Sequence, residues 1–265
     1  MHVRHPLPRW SARSASVRRS GWMLEVLFIG TGDAFGSGGR RNSAILLRDR
    51  GRTLLLDCGP STLMGLKQLG VDPLEIDAVA ISHFHGDHAA GLPFLLLDHL
   101  YERQRQSPLH VLGPPGIQAR LERIAQSFEY PSHDWPFDVS YSEFDCNAEL
   151  VTGAFKLKPF PALHQVETCP HMLRVEAAGH TIFFSGDTGW HEKLPEHVGE
   201  VELFICEATL FEESFEYHLS CTRLQKERRR FECRRMVLTH LGSEVLENLE
   251  RVDFDLAHDG LLLKL

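Results

Sequence analysis

This sequence has no apolar run approaching the roughly 18–20 residues that span a bilayer. Its greasiest stretch, "LPFLLLD" (Leu92–Asp98), is far shorter, so no membrane partner is expected. It has no Cys-x-x-Cys pair among its six cysteines, at positions 58, 146, 169, 206, 221 and 233. That suits reduced core or surface thiols of a cytoplasmic protein. Positive charge is not in excess: 28 Lys and Arg against 36 Asp and Glu leave a formal net charge of −8. No whole-molecule basic field draws the chain to nucleic acid, although a local patch stays open. Tyrosine is scarce, at four residues. Pro/Gly-rich linkers and short repeats are also lacking, so 265 residues read as one large domain.

One segment lacks acids altogether. Residues 1–22 hold five arginines, several serines, two prolines and no Asp or Glu. They contain no apolar core of a secretory signal, while an Arg/Ser-rich, acid-poor start is compatible with a transit peptide. The reading preferred here is a poorly ordered extension or an early start codon, because Met23 opens the first clear strand. The domain is then residues 23–265.

Short apolar runs bounded by turn residues predict strands at Met23–Gly30, "SAILLR", "RTLLLDCG" and "DAVAIS" (Asp77–Ser82). Further strands are expected at "LHVLG", Phe137–Tyr141, Ala154–Phe160, Met172–Glu176, Thr181–Ser185, "VELFICEA", "RRMVLTH" and "GLLLKL". Helical spacing marks "STLMGLKQLG", Ala89–Gln106, "IQARLERIAQSF", "YHLSCTRLQKERRRFEC" and "EVLENLERV". Runs of strands separated by single helices predict an α/β domain with two sheets and outer helices.

What the chain has in plenty is histidine, sixteen in all. "ISHFHGDHAAG" (Ile81–Gly91) crowds His83, His85, Asp87 and His88 into six residues. The preceding strand would deliver His83 and His85 to one side, by the period of two. Gly86 would turn the chain, and Asp87 would cap the helix that follows. Neutral imidazoles and a carboxylate at one corner are the donors a zinc site needs. Unrelated surface histidines do not explain four such donors in six residues, and two adjacent ions are plausible at this density.

This H-x-H-x-D-H stretch resembles the signature of the metallo-β-lactamase superfamily, and the resemblance extends from Met23 through most of the chain. "LLLDCG" is similar to its first motif, with Asp57 supporting a ligand. "PALHQVET" places His164 after a strand, "FFSGDTGW" supplies Asp187, and "RRMVLTHLG" supplies His240, all in the expected order. The resemblance implies a four-layer αββα sandwich with two mixed β-sheets. It also implies two divalent ions, zinc expected with manganese or iron as alternatives. One ion would take His83, His85 and His164, the other Asp87, His88 and His240, with Asp187 between them. A homodimer is a reasonable further implication.

Three stretches bear on the substrate. "FIGTGDAFGSGGRRNSAILL" (Phe28–Leu47) is not a dinucleotide loop, because it leads into a strand rather than a helix. It resembles the N-terminal loop of the ribonuclease Z-like branch, where Arg40 and Arg41 would either face a phosphate or stand solvated. "EATLFEESFEYHLS" (Glu207–Ser220) resembles that branch's E-A-T-F…H-S-T segment, with Leu219 and Ser220 departing from the usual Ser-Thr. His218 then matches a histidine that contacts the scissile phosphate. "QKERRRFECRR" (Gln225–Arg235) reads as a solvated basic face, with weak phosphate contact as the sharper alternative.

The glycine- and lysine-rich arm by which ribonuclease Z enzymes grip transfer RNA has no counterpart in Pro114–Leu163, which is acidic and aromatic. The expectation is therefore a phosphodiesterase for small or cyclic phosphodiesters or nucleotides, with structured RNA not expected as substrate. Asp87 and His218 are its catalytic candidates, Asp87 to orient the nucleophile and shuttle a proton. The alternatives are a hydrolase of a lactone, thioester or β-lactam carbonyl, or a ribonuclease Z-type endonuclease. A metal-binding or nucleic-acid scaffold that kept the fold without activity would show lost ligands, and no expected ligand is lost.

Overall fold

The computed structural model describes residues 23–130 and 136–265. The expected extension at residues 1–22 lies outside the described residues, as does part of the acidic, aromatic stretch before Phe137. Fourteen strands among the described residues form two seven-stranded sheets. The first holds β1 (Glu25–Gly30), β2 (Ala44–Asp49), β3 (Arg52–Leu56), β4 (Ala78–Ala80), β5 (Leu109–Gly113) and β6 (Val139–Glu143). The second holds β7 (Leu150–Thr152), β8 (Phe155–Pro161), β9 (His171–Ala177), β10 (His180–Phe184), β11 (Val201–Glu207), β12 (Cys233–Thr239) and β13 (Asp255–Leu256). The last strand, β14 (Leu262–Lys264), returns to the first sheet and pairs antiparallel with β1.

Both sheets are mixed in the same way. Across the first, the pairs β14–β1, β1–β2 and β2–β3 are antiparallel, and β3–β4, β4–β5 and β5–β6 are parallel. Across the second, β7–β8, β8–β9 and β9–β10 are antiparallel, and β10–β11, β11–β12 and β12–β13 are parallel. Hydrophobic alternation explains the stacking. Val26, Phe28, Ile45, Leu47, Leu54 and Leu56 meet Phe155, Leu157, Leu173, Val175, Ile182 and Phe184 between the sheets.

The other face of the first sheet, with Leu27, Ile29, Leu46 and Leu55, lies under α1 (Thr62–Gln68), α2 (Gly86–Ala89), α3 (Leu92–Leu97) and α4 (Ile117–Ser127). The outer face of the second lies under α5 (Leu194–Val198), α6 (Cys221–Glu227) and α7 (Ser243–Glu247). The architecture is the expected four-layer αββα sandwich.

Two local expectations are corrected. Ala89–Gln106 is not one helix: it breaks into α2, α3 and a π-helical turn at Asp98–Glu102. The break sits at Gly91, whose N–H donates to Cys58 O at 2.8 Å and where a Cβ would lie 2.0 Å from Gly59 O. Strand β4 ends at Ala80 rather than Ser82, so strand alternation does not present His83 and His85. A loop does so, tied across the sandwich by Phe84 N–H to Thr168 O and His171 N–H to Ser82 O, each at 3.0 Å.

No helix among the described residues is long and apolar enough to cross a membrane. All six cysteines are free thiols.

Candidate metal centre

The carboxyl ends of strands from both sheets meet at one edge of the sandwich, the usual place for a site in open α/β sheets. Asp57 follows β3, the histidine loop follows β4, and His164 follows β8. Asp187, Glu207 and His240 stand at the ends of β10, β11 and β12. Asp57 and His240 adopt left-handed backbone, with φ of 58° and 56°, a strained conformation for residues with side chains.

The seven candidate ligands converge in two groups that share Asp187: His83, His85, His164 and Asp187, and Asp87, His88, His240 and Asp187. In the first, His85 Nδ1 is 3.2 Å from His83 Nε2 and 3.0 Å from His164 Nε2, and Asp187 Oδ2 is 3.7 Å from His83 Nε2. In the second, His88 Nε2 is 3.2 Å from each of His240 Nε2, Asp87 Oδ2 and Asp187 Oδ1. A tetrahedral zinc with bonds of about 2.0–2.1 Å holds its ligand atoms roughly 3.3 Å apart. The second group has that spacing, as do the His85 contacts of the first, where Asp187 Oδ2 stands farther out at 3.7 Å from His83 and 4.0 Å from His164; each Asp187 oxygen faces one group. Asp187 Oδ1 is buried without a hydrogen-bond partner among the described residues.

The outer nitrogens strengthen the fit. His88 Nδ1 is 2.6 Å from Asp57 Oδ2, and His240 Nδ1 is 2.8 Å from Thr209 Oγ1. His164 Nδ1 donates to Tyr217 O at 2.8 Å, His83 Nδ1 is 3.0 Å from Ser82 Oγ, and His85 Nε2 is 3.1 Å from Gln165 Oε1. Each of the five imidazoles is thus anchored through one nitrogen and turns the other inward, as metal-binding histidines are oriented.

Asp57 is itself fixed by Ser82 N–H at 2.7 Å and by the hydroxyls of Ser82 and Ser43. Asp87 departs from expectation. His85 takes the cap position of α2, and Asp87 lies within its first turn, its carboxylate turned toward His88 and His240 instead of the backbone.

Charge within the cluster is polarised. Burial would lower His88, but Asp187, Asp57 and Asp87 overcome it and hold the imidazolium well above its usual range. Burial likewise opposes His240, which Asp187 and Asp87 raise. Burial and the neighbouring histidines push His83 well below, and burial lowers His164. Both Asp87 and Asp187 are lowered despite burial, by His88 and His240.

His218 sits beside these ligands, its ring centroid 5.0 Å from that of His164 and 5.9 Å from that of His240. Its Nδ1 is 2.9 Å from Glu207 Oε1. Burial opposes the charge, yet Glu207 pushes the imidazole up to about 9. Glu207 itself was not singled out from the sequence. It is buried and accepts from Thr188 N–H at 2.9 Å, Thr209 N–H at 3.1 Å and Thr209 Oγ1 at 2.9 Å, joining the Asp187 loop to His240 and His218. A carboxylate closing the apolar strand "VELFICEA" was the available signal, since a buried charge needs several partners.

Arg40 and Arg41 brace the loop instead of facing the cleft. Arg40 donates to Thr31 Oγ1 and Ala257 O, and Arg41 to Ile29 O and Gln68 Oε1. The basic run is engaged by acids, with Arg228 on Asp253, Arg230 on Glu192 and Glu227, and Arg235 on Asp255.

A family model described as the anti-Pycsar protein Apyc1 matches residues 24–257. Ribonuclease Z of Methanothermobacter thermautotrophicus is 33% identical over 144 residues, which cover 54% of this chain and 46% of that protein. The chain thus spans about half the length of the curated ribonuclease Z relatives it matches. Among solved structures, the metallo-β-lactamase fold protein YhfI from Bacillus subtilis aligns with a TM-score of 0.75 at 20% identity, over 92% of this chain and 99% of that one. The human short-form tRNase Z aligns with a TM-score of 0.73 at 25% identity, over 90% and 98%.

Proposed function

As a member of the anti-Pycsar Apyc1 family this chain is a metal-dependent hydrolase of the metallo-β-lactamase superfamily, ribonuclease Z-like in sequence, and we propose that it cleaves small or cyclic phosphodiesters. The observation that carries the reading is the set of five anchored imidazoles and shared Asp187, with His218 beside them on the buried Glu207 carboxylate.

His83, His85 and His164 would hold one divalent ion, zinc by donor type, and Asp87, His88 and His240 a second, with Asp187 serving both. Such a pair polarises phosphoryl oxygens and brings a water to nucleophilic strength near neutral pH. Asp87, its carboxylate ionised, accepts the proton of the attacking water, sets its line of approach and would pass that proton on toward the departing alkoxide. The His218 imidazolium donates to the phosphoryl oxygens as charge builds. Glu207 keeps it charged and aimed.

Small substrates are favoured because the described residues between β5 and β8 are taken up by α4, β6 and β7, with no basic arm. A second reading, cleavage of an RNA phosphodiester, is favoured by the names of the ribonuclease Z relatives and of the human tRNase Z.

One panel separates these readings. Zinc- and manganese-loaded protein would be assayed on bis(p-nitrophenyl) phosphate, cyclic nucleotides, a transfer-RNA precursor, a lactone and a thioester, with the metal content measured. Turnover of the first two is expected. Lactone or thioester hydrolysis without phosphodiester turnover would sink the proposal, and cleavage of the precursor alone would favour the second reading.

A further inference from the structure

Two histidines outside the metal centre are also paired. The stretch "GWHEKLPEHVG" (Gly189–Gly199) runs from the loop that leaves Asp187 into α5, and it carries His191 and His197. Their ring centroids are 5.4 Å apart, with the planes at 56°. Within the two groups of the metal centre, paired imidazoles stand 4.8 to 5.1 Å apart. A tetrahedral ion with bonds of about 2.0–2.1 Å sets imidazole centroids roughly 5 Å apart. His191 Nε2 and His197 Nδ1 are each shut off from solvent, and neither has a hydrogen-bond partner among the described residues. A buried nitrogen left unpaired costs about 1–3 kcal/mol, and such a group in a folded protein calls for a bound water or ion. Both residues are held in place. His197 N–H donates to Lys193 O at 2.9 Å, and its ring lies 5.2 Å from that of Phe160 on β8. The carbonyl of His191 accepts from Leu194 N–H at 3.0 Å, where α5 begins. Burial lowers both imidazoles from the ordinary range, helped at His191 by the facing His197. The neutral ring that results is the form that binds metal.

We propose that His191 and His197 form a second transition-metal site, separate from the centre built on Asp187, in which one divalent ion joins the two orphaned nitrogens. The class of ion follows from the donors. Imidazole suits zinc, copper or nickel, whereas calcium and magnesium take oxygen ligands. Of the charges on this turn, Glu192 is held by Trp190 and Arg230, and Lys193 and Glu196 are exposed. Two protein donors therefore leave the rest of the shell to water, and the site binds less tightly than the centre. An ion there fastens the loop that leaves Asp187 to α5, and α5 in turn packs on β8 through Phe160. The inference does not depend on which bond the centre cleaves.

The test is equilibrium dialysis of the full chain against buffered free zinc, raised well above the level that fills the centre, with zinc bound per chain counted by elemental analysis. Wild type is expected to hold one ion more than His191→Gln, His197→Gln or the double variant, all three losing the same single ion. Glutamine keeps a polar side chain of similar reach, and thermal melts verify that each variant is folded. Because the loop also carries Asp187, the comparison is repeated with Asp187→Ala as the parent. His197→Gln should remove one ion there as well. Equal zinc in wild type and both single variants overturns the site and leaves a water between the nitrogens. A loss that vanishes in the Asp187→Ala parent also overturns it, because the ion then belonged to the centre.

Discussion

Asp57 is buried, left-handed in backbone, and bonded to Ser43, Ser82 and the ligand His88. Asn tolerates left-handed backbone and is close in shape, so Asp57→Asn keeps the fold but removes the charge and turns one buried acceptor into a donor. Metal affinity is expected to fall about 10–100-fold, with a loss of stability of about 1–2 kcal/mol. Asp57→Ala should also lose roughly 2–3 kcal/mol of stability, because Ala strains at positive φ and leaves buried donors unpaired. Metal titration beside thermal melts decides this, and undiminished affinity in Asp57→Asn would refute the role. His218→Gln should lower kcat by about 10²–10³-fold with KM little changed, since the interaction grows with charge in the transition state. The active form of His218 is protonated, and its value is pushed up to about 9. Turnover should therefore fall as pH rises toward and through that value in wild type, and His218→Gln should lose this alkaline fall. Every residue of the two converging histidine–aspartate groups was legible in the sequence, because an imidazole or carboxylate at a strand end is a local signal. Glu207 and Thr209 were not, because their importance lies in which distant groups they join.

At the scale of elements, the loop carrying Asp187 and the segment Glu212–His218 touch with no room to spare. Leu163 O accepts from Gly189 N–H at 2.7 Å, and a methyl group on Gly189 would collide with Glu216 O. Gly189→Ala must push the His218 segment away from the ligands. We expect a loss of about 2 kcal/mol in stability, within the usual range for overpacking, and a kcat/KM lowered about tenfold or more, as follows from misplacing a catalytic group. Urea melts and steady-state kinetics check both, and wild-type kinetics would show that the contact does not set the geometry. Most strands were readable from period and turn residues. The helix read across Ala89–Gln106 was not, because its apolar spacing says nothing of the close approach of Gly91 to Gly59. Short β7, β13 and α5 escaped for a related reason: two to five residues carry too little periodicity, and pairing or packing defines them.

At the scale of the molecule, the site couples the two sheets, with His83, His85, Asp87 and His88 from one and His164, Asp187 and His240 from the other. Metal bound there should stabilise the whole sandwich. Free metal at about 100 times Kd contributes about 2.7 kcal/mol, so chelation should lower the melting point by roughly 5–10 °C. This increment should grow with pH. His88 and His240 are raised in the metal-free fold, so their protons stabilise it fully below the usual value of 6.5, and that support is lost as pH climbs through their raised values. The same protons compete with metal, so loading tightens as pH rises and releases protons. Melts with and without chelator from pH 5.5 to 8, and calorimetry in buffers of different ionisation enthalpy, measure both. A chelator effect that shrinks with rising pH would contradict the assignment.

The sequence by itself determined the class of fold, the donor residues and their order, because hydrophobic period and metal-binding chemistry are carried by residues close together in the chain. Only the tertiary structure decided that His88 and His240, 152 positions apart, bring nitrogens within 3.2 Å, that Asp187 faces both groups, and that Glu207 fixes His218. It also decided that Arg40 and Arg41 serve the loop. The physical reason is the same in each case. A side chain's type is local, but its charge state, partners and exposure depend on which strand ends the two sheets bring together.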